Sequence, residues 1–338
     1  MYEFKGKSII IAAPNHYGLL YRFKENLEAI GFETIAIPDD INVSIGIQNQ
    51  IIHIIKKIFT KTKSFKREKK IEFRTKKQID LINKGSISKF DYVLVIRPDL
   101  FSNTLLSSLK SKSNVMCAYQ WDGLDRFPSV YEKIGFFDSF FVFDENDKNK
   151  KENLIPITNF YFDDLKAGKN IIDAYFVGSF MKNRINLLVS LSRKLHKLGQ
   201  KLSINLSVNS SDKFKNPNSD LITIIDKPIS FKNNLINSSQ SKIIIDFTNE
   251  VHNGLSMRVF ESIGFRKKLI TNNTLVKNFD FYNPNNIFLI ENDKFDGIEN
   301  FINVPYENLP SKIYEKYSFT NWIKYIFKND NICSSLYL

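Results

Sequence analysis

Cysteine is nearly absent from this chain: Cys117 and Cys333 are far apart and form no C-x-x-C pattern. That excludes a disulfide framework and a cysteine-rich zinc site, and it fits a reducing compartment such as the cytoplasm. Histidine is as sparse, with four residues and no H-x-x-x-H. The acidic pairs Asp39-Asp40 and Asp163-Asp164 have no partner ligands at recognisable spacing, and Asp144-Glu145-Asn146 is only remotely like a D-x-D motif. No metal site is expected. The phosphate-binding G-x-x-x-x-G-K-[ST], the dinucleotide G-x-G-x-x-G and the nucleophile-elbow G-x-S-x-G are all missing. No apolar run approaches the ~18 residues of a membrane span, and the short one after MYEFKGK does not read as a signal-peptide core followed by a cleavage site.

What is present is ample apolar material. Hydrophobic residues make up 43% of the 338 positions, with 30 Phe and 14 Tyr, which excludes a disordered chain and supplies a core. The length suits two domains better than one. The net charge of +12 is concentrated: eleven basic residues and two glutamates fall within 56–77, so this segment carries +9 and the rest of the chain only +3.

Buried strands are expected at 7–13 (KSIIIAA), 34–37, 92–96, 115–119 and 139–143, with a helix over 19–30 that Gly31 stops. Polar residues follow the strands: Asn15-His16, Arg97-Pro98-Asp99, Gln120-Trp121-Asp122 and Asp144. In an open parallel sheet such residues converge on one ligand-binding edge. The pattern weakens over 150–169, where a linker is expected, and a second βα series follows. Its strands are expected at 174–177, 202–208, 221–225, 242–247, 268–271 and 287–290, with helices at 186–198 and 259–265. The fold class is therefore α/β, with two tandem Rossmann-like doubly wound domains.

The most informative stretch is 246–272. A strand ends at Asp246, a loop containing Asn253-Gly254 follows, and a helix begins near Ser256 carrying Arg258 and Glu261. Such a helix start offers free N–H groups and a positive dipole end to an anion, and Glu261 can accept hydroxyl hydrogen bonds. The alternative is that Ser256 only caps the helix and Arg258 and Glu261 form a surface ion pair.

The run GLSMRVFESIGFRKKLITNN, followed by DFYNPNNI from Asp280, resembles the C-terminal half of bacterial GT-B glycosyltransferases that build lipopolysaccharide or capsular polysaccharide. Tyr175-Phe176-Val177-Gly178-Ser179 with nearby Arg184, Arg97-Pro98-Asp99 and Tyr119-Gln120-Trp121-Asp122 support the resemblance, which extends from residue 7 to about 290. It implies an acceptor-side domain over 1–165, with a basic helical insertion at 56–77, and a nucleotide-sugar domain over 170–338 whose last helix packs back on the first. It places a cleft between the two. It further implies a donor, UDP-linked by default, held by Gly178, Ser179, Arg184, His252, Asn253, Gly254, Ser256, Arg258 and Glu261, with no other cofactor. The family's retaining members often carry two glutamates eight positions apart. Here the earlier position is Asn253, so the stereochemical outcome stays open.

His16 and Asp122 are the candidate catalytic bases. Each has a plain structural alternative, solvation for His16 and turn formation with Gly123 for Asp122. In the basic segment, Lys56, Lys57, Lys66, Arg67, Lys69 and Lys70 alternate with apolar residues. Such a helix suits anionic lipid headgroups at the inner face of the cytoplasmic membrane, where a glycan or glycolipid acceptor would sit. A plain solvated helix is the alternative. Nucleic acid is not expected as a partner, because no zinc-finger, RNP or helix-turn-helix signature accompanies the charge. Rival functions are a polyol-phosphate transferase of related architecture and a non-catalytic nucleotide- or glycan-binding protein.

Overall fold

The computed structural model describes residues 4–59, 64–85, 87–208, 220–248 and 254–328. Strand β1 (Ser8–Ala13) is buried at every position. A strand without a wet face needs cover on both sides, the environment of a central strand in a parallel sheet. Its parallel neighbours are β2 (Glu33–Pro38) and β3 (Phe90–Ile96). Helix α1 (Leu19–Ala29) connects β1 to β2, and α2 (Gly46–Phe59) and α3 (Phe65–Asn83) precede β3. Then α4 (Asn103–Ser111) leads to β4 (Ser113–Gln120), β5 (Ser139–Val142) and β6 (Leu154–Pro156). The strand order is β2-β1-β3-β4-β5-β6. Leu105, Leu106 and Leu109 of α4 close one face over Val93, Val95 and Met116.

The second sheet is built the same way. It contains β7 (Ile172–Ser179), α5 (Lys182–Lys197), β8 (Leu202–Ser207), β9 (Thr223–Ile225), α6 (Phe231–Ser239), β10 (Ser241–Asp246), α7 (Met257–Gly264), β11 (Lys268–Thr271) and β12 (Ile287–Leu289). Three helices follow, α8 (Ile298–Asn303), α9 (Ser311–Lys316) and α10 (Phe319–Lys328). The order is β12-β11-β10-β7-β8-β9, and the neighbouring strands pair in parallel. Leu187, Leu188, Leu191 and Leu195 of α5 recur at helical spacing and pack on Ala174, Ile204, Ile243 and Ile245.

In each sheet the chain grows outward from a first strand, then restarts on its other side. The order therefore reverses between β1 and β3 in one sheet and between β7 and β10 in the other. Ligands of doubly wound sheets bind beyond the carboxyl ends of the strands at such a reversal.

The chain divides into two compact units, Met1–Ile155 and Pro156–Leu338. Residues 156–165 thus group with the second unit. The last helix, α10, packs there: Trp322 donates its indole N–H to the Thr158 carbonyl (3.0 Å), and its ring lies 4.4 Å from Phe160. The basic segment is not one helical insertion. It is divided between α2 and α3, because the apolar periodicity of α2 already starts at Gly46 and a new helix starts at Phe65. Phe65 is buried and Phe73 half-buried, so these two aromatic residues pack inward. Among the described residues, no helix is long and apolar enough to cross a membrane.

Candidate functional site

In the first unit, the residues after β1 and β3 flank the order reversal. Asn15 donates its backbone N–H to Asp39 (3.0 Å), which fixes the loop after β1 against the end of β2. His16 and Tyr17 are exposed there, and Tyr17 has a left-handed backbone with φ 55°. Arg97 also has positive φ, 58°, a costly conformation for a residue with a side chain. Its surroundings hold it in place: a bidentate pair with Asp99 (2.7 Å for both bonds), a bond from Nη1 to Asp122, and the Phe127 ring 3.9 Å from the guanidinium.

Asp122 is 8% exposed, and its other oxygen accepts from Arg126 at 3.1 Å. Asp122, expected as a candidate base, thus sits in an ion-pair cluster with Arg97 and Arg126. Both carboxylate oxygens accept from guanidinium groups, a charge-assisted arrangement that ties Asp122 to Arg97 and Arg126. Lys133 completes the arrangement from below. Its buried ammonium donates to the carbonyls of Pro98, Asp99 and Phe101 (3.0, 3.0 and 2.6 Å), and burial lowers its pKa. Nothing in the sequence signals Lys133, which sits in an apolar stretch thirty-odd residues from its partners. Cys117 is buried, which pushes its thiol up to about 12 and removes it as a nucleophile.

In the second unit, Arg258 lies at the order reversal itself. From the first turn of α7 it donates to the Val177 carbonyl at the end of β7 (2.6 Å) and lies 3.3 Å from the Asp246 carboxylate at the end of β10. Ser256 occupies the N-cap position of α7, yet makes no side-chain cap; its hydroxyl donates to Asp246 instead (2.8 Å). The reading of Ser256 as a helix cap is therefore corrected. The serine is committed to Asp246, so the first amides of α7 lack the side-chain acceptor they would usually have. The Arg258–Glu261 surface ion pair is replaced by Arg258–Asp246 in the same way.

Around this point, Asn273 holds the Gly254 carbonyl (3.0 Å), and the Asn272 side chain accepts from the Thr248 amide (2.7 Å) and hydroxyl (3.0 Å). Both asparagines follow β11 directly. Attention to polar residues after strands, applied to this strand as to the others, would have found them. At Gly178, a Cβ would lie 2.9 Å from the Phe176 ring, so a side chain there would displace the phenyl group lining the strand end. Ser179 is exposed, and Arg184 is half-buried in the first turn of α5. His252 and Asn253 lie outside the described residues.

Glu261 differs from its expected setting. It is 2% exposed and accepts from Ser238 of α6 (3.2 Å), because α7 is covered all round from Val259 to Ile263. Burial pushes its carboxyl up to about 7, against the opposing pull of Arg258 and Ser238. As it stands, the carboxyl braces α6 against α7 beneath the helix start and presents no open face to a ribose. Among the described residues there is no cluster of three or more His, Cys, Asp or Glu that could hold a metal.

Two doubly wound parallel sheets in tandem make this chain a protein of GT-B architecture. No protein-family model matches the sequence, and no curated protein matches it either. Solved structures are similar in fold. An α-glucosyltransferase in complex with UDP and a 13-mer DNA containing an HMU base superposes with TM-score 0.58 at 12% identity, over 97% of this chain and 99% of that one. A UDP-forming α,α-trehalose-phosphate synthase from Burkholderia xenovorans, in complex with glucose-6-phosphate, gives 0.55 at 11% identity, over 98% and 100%. A glycosyltransferase from Rickettsia africae gives 0.51 at 12% identity, over 98% and 99%. Likeness at this identity establishes shared architecture; function has to be argued from the site.

Proposed function

We propose that this protein is a glycosyltransferase, taking a UDP-linked sugar at the carboxyl edge of the second sheet and passing the sugar to a glycan or glycolipid acceptor. The observation that carries this reading is the start of α7. Its amides are left without a side-chain cap, Arg258 stands beside them at the order reversal, and Gly178 keeps the neighbouring strand end free of a side chain. An uncapped helix N-terminus with an arginine is suited to a diphosphate. The donor would also contact Ser179, Arg184, Gly254 and Ser256, with His252 and Asn253 nearby in sequence. The diphosphate charge is met by amides and arginine, an arrangement that works without a metal.

In the transfer step, a bond forms from the acceptor oxygen to the anomeric carbon, the bond to the diphosphate breaks, and UDP leaves with its electron pair. The acceptor's proton goes to a base, for which His16, exposed in the loop after β1, is the group we propose. The similar α-glucosyltransferase in complex with UDP and the UDP-forming synthase support a uridine donor. The resemblance of 254–287 to lipopolysaccharide and capsule enzymes, with the basic segment, supports a lipid-linked acceptor and a peripheral position at the inner face of the cytoplasmic membrane.

Thermal melts against UDP, GDP, CMP and their sugars test the donor site, since a ligand that binds the native state raises the melting temperature. UDP is expected to raise it for the native sequence. Arg258→Ala is expected to weaken UDP binding by about ten-fold or more, the worth of a charge-assisted bond to phosphate. An unchanged UDP response in a folded Arg258→Ala protein would place the donor elsewhere.

A further inference from the structure

Helix α2 has its polarity reversed. In a helix on the surface of a globular protein, apolar residues face the core and polar ones face water. Here Ile47, Ile51, Ile54 and Ile55 share one face, at the i, i+4, i+7, i+8 spacing, and are 76%, 52%, 56% and 49% exposed. Ile52, beside them, is 41% exposed. Among the side chains described on this helix, over 46–57, the less exposed ones are polar, Asn49 and His53, and the His53 Nδ1 atom is shielded from solvent. Lys56, one turn further along that side, lies over the Phe65 ring of α3 at 4.4 Å. The helix is thus anchored by its polar side, and Ile47, Ile51, Ile52, Ile54 and Ile55 form an apolar patch with no cover from the described residues.

The helix that carries this patch and its neighbour α3 are both rich in exposed cations. Lys56 and Lys57 end α2, and Lys66, Arg67, Lys70, Lys76 and Lys77 are exposed along α3, where Lys69 is paired with Glu72. Ile71 is exposed among them. The combination selects one occupant. A second copy of this chain would set two strongly basic surfaces against each other. A nucleic acid would satisfy the lysines but cover the isoleucines with phosphates. An anionic bilayer meets both, since headgroups pair with the lysines and acyl chains take up the isoleucines. At fourteen residues, α2 is too short to span a membrane and suits the interfacial plane.

We propose that α2 lies flat in an anionic lipid surface, with Ile47, Ile51, Ile54 and Ile55 among the acyl chains and the α2–α3 lysines on the headgroups. This deepens the peripheral placement given above and rests on it, while being independent of the donor-site residues.

The test uses the full chain with vesicles of phosphatidylcholine, alone or mixed equally with phosphatidylglycerol. The native protein is expected to sediment with the mixed vesicles and not with the neutral ones. A triple variant, Ile51→Ser with Ile54→Ser and Ile55→Ser, is expected to weaken that binding by about ten-fold or more. Its urea midpoint and UDP response should be unchanged, because the three side chains are already exposed. In an Ile54→Trp protein, lipids brominated on the acyl chain should quench the added fluorescence. The proposal is overturned if the triple variant binds vesicles as the native protein does, if the tryptophan is not quenched, or if the isoleucines prove to hold a dimer in solution or bind duplex DNA. Should vesicle binding depend only on the lysines, insertion fails and peripheral placement stands. If the native protein binds no vesicle, both fail. UDP binding is read separately throughout, so neither result touches the donor site.

Discussion

Replacing Asp122 with alanine is expected to destabilise the first unit by about 3 to 5 kcal/mol, the usual cost of removing one partner from a buried ion pair. The reason is the arginine left behind. Arg97 is 8% exposed, adopts a left-handed backbone and is held by Asp99, Asp122 and the Phe127 ring. Two guanidinium groups and two carboxylates balance in this cluster. Without Asp122 a positive charge remains in a place that water scarcely reaches, with the positive φ still to be maintained. Asp122→Asn keeps an oxygen acceptor and should cost less, and the difference between the two substitutions measures the charge. Urea unfolding followed by far-ultraviolet dichroism provides the readout. If Asp122→Ala unfolds at the native midpoint yet loses transfer, Asp122 is a base after all and the bracing role is wrong.

Glu261→Gln is expected to stabilise the protein at pH 8 and to make no difference at pH 4. Burial raises the Glu261 carboxyl from its ordinary 4.5 to about 7 in the folded protein. Between those values the folded form retains a proton that the unfolded chain has released, so protons favour folding and stability falls as pH rises through that window. Below it both states are protonated and the penalty vanishes; above it both are ionised and the penalty is complete. A shift of this size corresponds to about 3 kcal/mol at 1.36 kcal/mol per unit. Glutamine carries no such penalty and keeps an oxygen to accept from Ser238. Urea midpoints of the two proteins from pH 4 to 8 should therefore diverge with rising pH. Parallel curves would show that Glu261 is solvated and available to a ligand.

Parts of this protein were plain in the sequence. The isoleucines of 9–11 and 243–245 are β-branched and continuous, and the apolar runs that contain them are short, so both central strands could be placed within a residue or two. The stretch from Asp246 to Thr271 was legible as strand, loop, helix and strand for the same reason. The division between α2 and α3 was not, because the strongest local signal there is charge, and charge does not show where one helix ends and another begins. Glu261 misled for a related reason. One acidic residue near the start of a helix reads as surface, and only the neighbouring α6 and sheet show that the second turn of α7 has no surface.

The sequence by itself determined the α/β class, two successive series of strands and helices and the polar residues that end each strand, because those follow from periodicity within a dozen neighbouring positions. The tertiary structure alone decided which of those residues are free. It turned Asp122 onto two arginines, committed Ser256 to Asp246, carried Arg258 across to Val177 and left Ile47, Ile51, Ile54 and Ile55 of α2 facing outward. These pairings join residues up to 81 positions apart. Strand order brings them together, and no local pattern encodes strand order.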